Sequence, residues 1–263
     1  MHSLSRSNDL LRIRRCLESV AEMVVGRSGR TASVSYSRNG DPVTCLDRDI
    51  NQNILQHLPA EGEGWLSEES KDNLDRLNCS RLWVVDPIDG TREFLEGIPE
   101  WCVSIALVEG HEAVAGGILN PSTGEMFLGS LETGLQLIES VIPQHHRENS
   151  ANSCMLVSRR EYRQGKWKEF EGSRMTVLPI GSIAYRLAQV AAGYAQATCT
   201  FEPRSEWDVA GGVALIRAAG GRVQGLDGTP VRFNQKVPLL QNFFACGRDC
   251  PSTVPEICGV KMQ

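Results

Sequence analysis

Apolar residues recur at helical spacing through Leu10, Leu11, Ile13, Leu17, Val20, Ala21 and Val24, and Gly26 follows as a stop. Thr31 to Arg38 alternates weakly and reads as a strand. A second helix is expected from Asp47, with Ile50, Ile54, Leu55 and Leu58 on one face and Pro59 beyond its end. Leu82 to Val85 and Cys102 to Val108 read as buried strands. Val114 to Leu119 and Glu125 to Leu128 follow, separated by an Asn-Pro-Ser-Thr-Gly turn. Strands in such close succession predict a meandering, mostly antiparallel sheet.

The rhythm then changes. Residues 142–153, IPQHHRENSANS, are polar and aperiodic, which marks them as a linker between a domain at 1–141 and a second at 154–263. Beyond them short strands alternate with helices. Met155 to Val157 is a strand, Ser182 to Tyr194 a helix, and Asp208 to Ala219 a helix closed by Gly220-Gly221. The whole predicts an α+β first half followed by an α/β second half.

Composition narrows the function classes. The 263 residues are 41% hydrophobic and 22% charged, with a net charge of −5. That balance offers no general attraction to a nucleic acid polymer or an anionic membrane, and no apolar run has spanning length. An anionic substrate therefore needs local positive charge from side chains or from metal. Nine cysteines without framework spacing, and a start (MHSLSRSNDLLRIRRC) lacking an apolar core, predict reduced thiols in a cytoplasmic protein. Cys246, Cys250 and Cys258 match no common zinc spacing, and His57, His111, His145 and His146 receive no role.

The chemistry concentrates in Trp83-Val84-Val85-Asp86-Pro87-Ile88-Asp89-Gly90-Thr91. Proline fixes its own φ and restricts its predecessor, so Asp86 and Asp89 can be held toward one point. Two carboxylates and the Ile88 carbonyl are hard oxygens of the kind Mg²⁺ accepts. Gly90 and Thr91 open a helix whose N–H groups suit an anion. Taken alone, the segment also reads as a strand and turn. Glu68 and Glu69 also read as a solvated loop, and Asp47 and Asp208 as N-caps.

In combination these segments resemble the inositol monophosphatase-like superfamily of Mg²⁺-dependent, lithium-sensitive phosphomonoesterases. The resemblance rests on Pro42-Val43-Thr44-Cys45-Leu46-Asp47, Glu68-Glu69, Asp86-Pro87-Ile88-Asp89-Gly90-Thr91 and Trp207-Asp208-Val209-Ala210-Gly211, in that order, and spans about Leu10 to Phe233. Ser67 stands where the family usually has glycine. The resemblance implies a layered α/β/α/β/α sandwich of the fructose-1,6-bisphosphatase type, with the active site between the halves. It implies two or three Mg²⁺ ions: Glu68, Asp86 and the Ile88 carbonyl at the first, Asp86, Asp89 and Asp208 at the second, and Glu68 at a weaker third. Asp47 and Thr91 would activate the attacking water. Gly90 and Thr91 would seat the phosphate, and homodimers are common in the family.

The substrate is a small phosphorylated metabolite on this reading. Asp89-Gly90-Thr91-Arg92-Glu93-Phe94 looks most like the 3′(2′),5′-bisphosphate nucleotidase branch, so adenosine 3′,5′-bisphosphate is the expected substrate. Inositol 1-phosphate, histidinol phosphate and sugar phosphates are the alternatives, and a non-catalytic phosphate-binding protein is the reading from another class. Ser182 in the Gly181-Ser182 turn is expected to meet a sugar hydroxyl or second phosphate. Glu202 and Arg204 are further substrate candidates, while Arg186 reads equally as a solvated surface residue.

Overall fold

The computed structural model describes residues 6–138 except 28, 30–32, 37–39 and 41, together with 153–170, 175–252, 254, 255 and 259. The chain opens with helix α1 (Arg6–Val24), the short strands β1 (Val34–Tyr36) and β2 (Pro42–Thr44), and α2 (Cys45–His57). A six-stranded sheet follows, built from β3 (Gly64–Ser67), β4 (Arg81–Asp89), β5 (Cys102–Glu109), β6 (Glu112–Asn120), β7 (Glu125–Ser130) and β8 (Gly134–Ile138). Helix α3 (Thr91–Glu96) interrupts it after β4. Its order is β3-β4-β5-β6-β7-β8, with only the β3–β4 pair parallel.

The second half contributes β9 (Ser153–Ser158), α4 (Arg159–Arg163), β10 (Met175–Ile180), α5 (Ile183–Ala191), β11 (Ala197–Thr200), β12 (Arg204–Ser205), α6 (Glu206–Ala218), β13 (Arg222–Gly225), β14 (Leu239–Leu240) and β15 (Phe243–Cys246). Its five-stranded sheet has the order β10-β9-β11-β15-β13. β10, β9 and β11 run parallel, and β15 is antiparallel to both β11 and β13. β12 pairs only with β14.

Alternation along the central strands sets the layers. Successive β side chains point to opposite faces. Trp83 and Val85 of β4, with Val103, Ile105 and Leu107 of β5, pack against α1 and α2. Leu82 and Val84, with Cys102, Ala106 and Val108, pack against α5 and α6. The same core takes in Leu156, Phe243 and Ala245, so α5 and α6 lie between the two sheets. The far face of the second sheet, with Met155, Val157 and Phe244, is covered by Trp167 and Phe170. This is the expected α/β/α/β/α layering, with an outer layer reduced to α4 and the turn carrying Trp167.

Glycines set the spacing of the middle layer. A Cβ on Gly211 of α6 would strike the Ser104 hydroxyl on β5, and one on Gly116 of β6 would come within 2.6 Å of the Gly211 carbonyl. On the opposite side Gly212 leaves room for Leu187 of α5. Glycine costs a helix interior about 1 kcal/mol relative to alanine. Here it lets α6 lie close enough for its first turn to reach the end of β4.

Several expected boundaries shift. α2 starts at Cys45, with Thr44 as N-cap and Asp47 in its first turn closing a capping box. Asp47 is therefore not the N-cap. For α6 the N-cap is Ser205, and Asp208 lies inside the first turn. Of the strand expected at Thr31 to Arg38, Val34–Tyr36 is present and residues 31, 32, 37 and 38 lie outside the described residues. Residues 142–152 of the expected linker, with His145, His146 and Cys258, also lie outside them, and Ser153 already begins β9. Among the described residues no helix is long and apolar enough to cross a membrane.

Candidate active site

The end of β4 is bent by one extra residue. Asp86 lies opposite Ser104 and Asp89 opposite Cys102, so three steps on β4 match two on β5. Directly opposed residues share a face. Because Cys102 belongs to the face turned toward α5 and α6, both aspartates face that layer. Without the bulge, an odd number of steps would send Asp89 to the α1 and α2 side. Pro87, which has no N–H for a ladder, sits within the irregularity. The Ile88 N–H turns back to Asp86 Oδ1 at 3.0 Å, and Gly90 caps α3 at φ 94°, a left-handed conformation glycine adopts without strain.

These elements open onto a cavity of about 240 Å³. Its lining includes Glu68, Asp86, Ile88, Asp89, Gly90, Thr91 and Asp208. It also includes five arginines, Arg92, Arg159, Arg160, Arg186 and Arg204, together with Glu93. Ser158, at the end of β9, and Gly181 and Ser182, following β10, also line it. These are the carboxyl ends of parallel strands, where open α/β sheets bind ligands.

Asp47 is buried behind this surface and does not line the cavity. Its Oδ2 accepts from the Thr44 N–H at 2.8 Å and the Thr44 hydroxyl at 2.5 Å. The Thr91 hydroxyl lies 3.0 Å from the Ile88 carbonyl and 3.4 Å from Asp47 Oδ1, so Thr91 links Asp47 to the cavity. Asp89 Oδ2 accepts 2.6 Å hydrogen bonds from the Ser182 hydroxyl and the Ala184 N–H at the start of α5. Ser182, expected to meet a sugar hydroxyl or second phosphate, lines the cavity. Its hydroxyl is committed to Asp89 and to capping Tyr185 N–H, with Cys102 Sγ 3.3 Å behind it.

Like charges and burial dominate the acidic wall. Desolvation holds the Asp86 carboxyl well above the usual range, and repulsion from Glu68, Asp89 and Asp208 adds to it. Desolvation and repulsion, chiefly from Asp208, raise Glu68. Desolvation raises Asp89 as well, opposed by Ser182, Ala184, Arg186 and Arg204. Asp47 is raised by burial against its hydrogen bonds from Thr44 and Thr91. Such a cluster favours a counter-cation, and its all-oxygen donors suit a hard divalent ion. Among the described residues no group of three or more histidines, cysteines, aspartates or glutamates is placed to hold a metal ion by itself. The donors instead ring an open cavity in which water and substrate oxygens can complete a coordination shell.

Two further expectations are corrected. Glu202 does not line the cavity, because its carboxylate pairs with Lys166 at 2.7 Å. Arg186 is not a surface residue. It is 2% exposed, donates to the Thr198 hydroxyl at 3.1 Å, and has a buried Nε with no hydrogen-bond partner. Burial, then Arg204, pulls its guanidinium down to about 10, still charged at neutral pH. Arg204 lines the cavity, 3.6 Å from Glu161 and 3.9 Å from Glu202.

Arg159 and Arg160 escaped the sequence reading. Their signal was a basic pair directly after a strand, at Ser158-Arg159-Arg160. Arg159 Nη2 grips Glu100 at 2.6 and 2.5 Å, and Glu100 Oε2 accepts the Gly181 N–H at 2.7 Å. That chain of contacts ties the β9 and β10 ends to the loop before β5.

Comparison with known proteins finds relatives in sequence and in fold. Residues 13–251 match the inositol monophosphatase family. An inositol-1-monophosphatase of Mesorhizobium japonicum is 34% identical over 212 residues, covering 74% of this chain and 76% of that protein. A 3′-phosphoadenosine 5′-phosphate phosphatase of Mycobacterium bovis is 30% identical over 210 residues, covering 76% and 75%. In fold, the chain superposes on CysQ from Bacteroides thetaiotaomicron with a TM-score of 0.77 at 24% identity, covering 94% of this chain and 99% of that one. The chain belongs to the inositol monophosphatase family and is a phosphatase.

Proposed function

We propose that this phosphatase removes the 3′-phosphate of adenosine 3′,5′-bisphosphate, giving AMP and inorganic phosphate, with Mg²⁺ as its cation. The observation that carries the reading is that one cavity is lined both by a group of acids and by five arginines. The acids suit a metal-held scissile phosphate, whereas the arginines suit a second anionic group on the same molecule. An inositol monophosphate has one phosphate and offers no second anionic group to those arginines.

Glu68, Asp86, Asp89, Asp208 and the Ile88 carbonyl are the groups that would hold the ions. Divalent ions bound there lower the pKa of water, neutralise the phosphate and steady the leaving oxygen. The protein's own part is orientation and proton handling. Thr91 can take a proton from the attacking water at Oγ while passing its own to Asp47 Oδ1, along a contact it already makes. The hydrogen bonds from Ser182 and Ala184 keep Asp89 turned into the cavity. Gly90 and Thr91 seat the phosphate at the turn.

The test combines chelation with product analysis. Phosphate release from the bisphosphate is expected to vanish with EDTA and return with Mg²⁺, and chromatography should show 5′-AMP. Turnover indifferent to chelation contradicts the metal assignment. Adenosine 3′-phosphate as product contradicts the choice of ester. The competing reading, an inositol-1-phosphate phosphatase, is favoured by the Mesorhizobium relative.

A further inference from the structure

A second cavity, of about 270 Å³, adjoins the first. Arg92, Arg159, Arg160 and Arg163 line it, with Glu93 and Glu96. Arg92, Glu93, Arg159 and Arg160 belong to both cavities, so the two adjoin across these side chains. Arg163 belongs to the annex alone.

Three features make the annex receptive to an anion. Arg159 is fixed by its two-oxygen grip on Glu100, yet its buried Nε has no hydrogen-bond partner. Arg160 and Arg163 are exposed, and neither has an ion-pair partner among the described residues. Guanidinium forks match the oxygens of a phosphate better than a point charge does. The other basic residues of the main cavity are already committed. Arg204 lies beside Glu161 and Glu202, and Arg186 feels the charges of Glu161 and Asp89.

We propose that the annex is the subsite for a second phosphate of the substrate, and that Arg163 is a specificity-determining residue within it. The proposal rests on the nucleoside bisphosphate reading. It assigns the non-reacting phosphate to the space between α3 and α4, away from Arg186 and Arg204. Its occupant belongs to the substrate because Arg92, Arg159 and Arg160 line both the annex and the cavity that would hold the scissile ester.

The experiment compares adenosine 3′,5′-bisphosphate, adenosine 3′-monophosphate and inositol 1-phosphate as substrates of the Mg²⁺-loaded wild type, Arg163→Ala and Arg163→Glu. The wild type should favour the bisphosphate by KM. Arg163→Ala should raise KM for the bisphosphate about fivefold to tenfold, and Arg163→Glu more, with kcat unchanged. Neither variant should alter KM for the 3′-monophosphate, and both should unfold at the wild-type temperature. If Arg163→Glu keeps the full bisphosphate preference, or if KM changes equally for both adenosine substrates, the annex is not the subsite and the nucleotidase reading stands. If the wild type prefers inositol 1-phosphate to either nucleotide, that reading falls and the annex proposal with it.

Discussion

Asp86 and Asp89 stand on the same face of the central sheet although they are three positions apart, because two β4 residues lie between them where one β5 residue lies between their partners Ser104 and Cys102. That offset is what turns two strand aspartates into neighbours across a cavity. It also places Asp89 against the start of α5, so the acid that faces the cavity is held by the other half of the chain.

Asp89→Asn separates the charge of this residue from its structural contacts. An asparagine Oδ1 can still accept from Ser182 and Ala184, so the fold is expected to persist. The loss of one cavity charge relieves repulsion with Asp86 and Glu68, and the unfolding temperature should not fall. Turnover should drop by about 100-fold or more. Near-wild-type kcat in a folded variant contradicts the role assigned to this carboxylate.

Ser182 adopts φ 35°, in the left-handed region, while capping α5. Alanine and glycine both delete its hydroxyl, at a cap cost of about 1 kcal/mol. Only glycine also relieves the backbone. Ser182→Gly should therefore be more stable than Ser182→Ala by about 1 kcal/mol in urea titration, with both losing activity through a looser Asp89. The reverse order would refute the strain argument.

Gly211→Ala raises helix propensity yet should destabilise. The added methyl meets the Ser104 hydroxyl across the α6–β5 contact, and overpacking of this kind costs about 1–3 kcal/mol. A urea midpoint at or above wild type contradicts the close approach of α6 to the sheet.

The raised carboxyls predict how Mg²⁺ and pH act together. With folded pKa values above the unfolded ones, the native cavity keeps protons that the unfolded chain has released. Their contribution to stability is therefore greatest below the ordinary carboxyl range, about pH 4, and is lost as pH rises through the elevated values. On the proposed function, Mg²⁺ would replace those protons. Its stabilisation, followed by thermal unfolding, should be larger at about pH 8 than at about pH 5, and a gain of about 2.7 kcal/mol is expected at a hundred times Kd. Equal shifts at the two pH values place the ion elsewhere.

The acidic side of the site was legible because its motifs are local: Asp86, Ile88, Asp89, Gly90 and Thr91 lie within six residues, and Glu68 and Asp208 each sit beside a recognisable segment. Arg186 was not. Its position opposite Leu187 and Val190 suggested solvent, but every residue of α5 is buried between the two sheets, so an apolar face no longer implies an exposed one. Glu202 was a substrate candidate in the sequence, and only the fold reveals its pairing with Lys166. The arginine annex was hidden for a similar reason. Arg92 and Arg163 are far apart in sequence and meet only because α3 and α4 flank the same opening. The central meander was readable from alternation, whereas short strands such as β11 and β15 carry too few residues to show a period.

Phosphate release measured side by side from adenosine 3′,5′-bisphosphate and inositol 1-phosphate, with Mg²⁺ present, tests the central claim most directly. The joint lining of one cavity by acids and arginines predicts the higher kcat/KM for the bisphosphate. A higher kcat/KM for inositol 1-phosphate contradicts it.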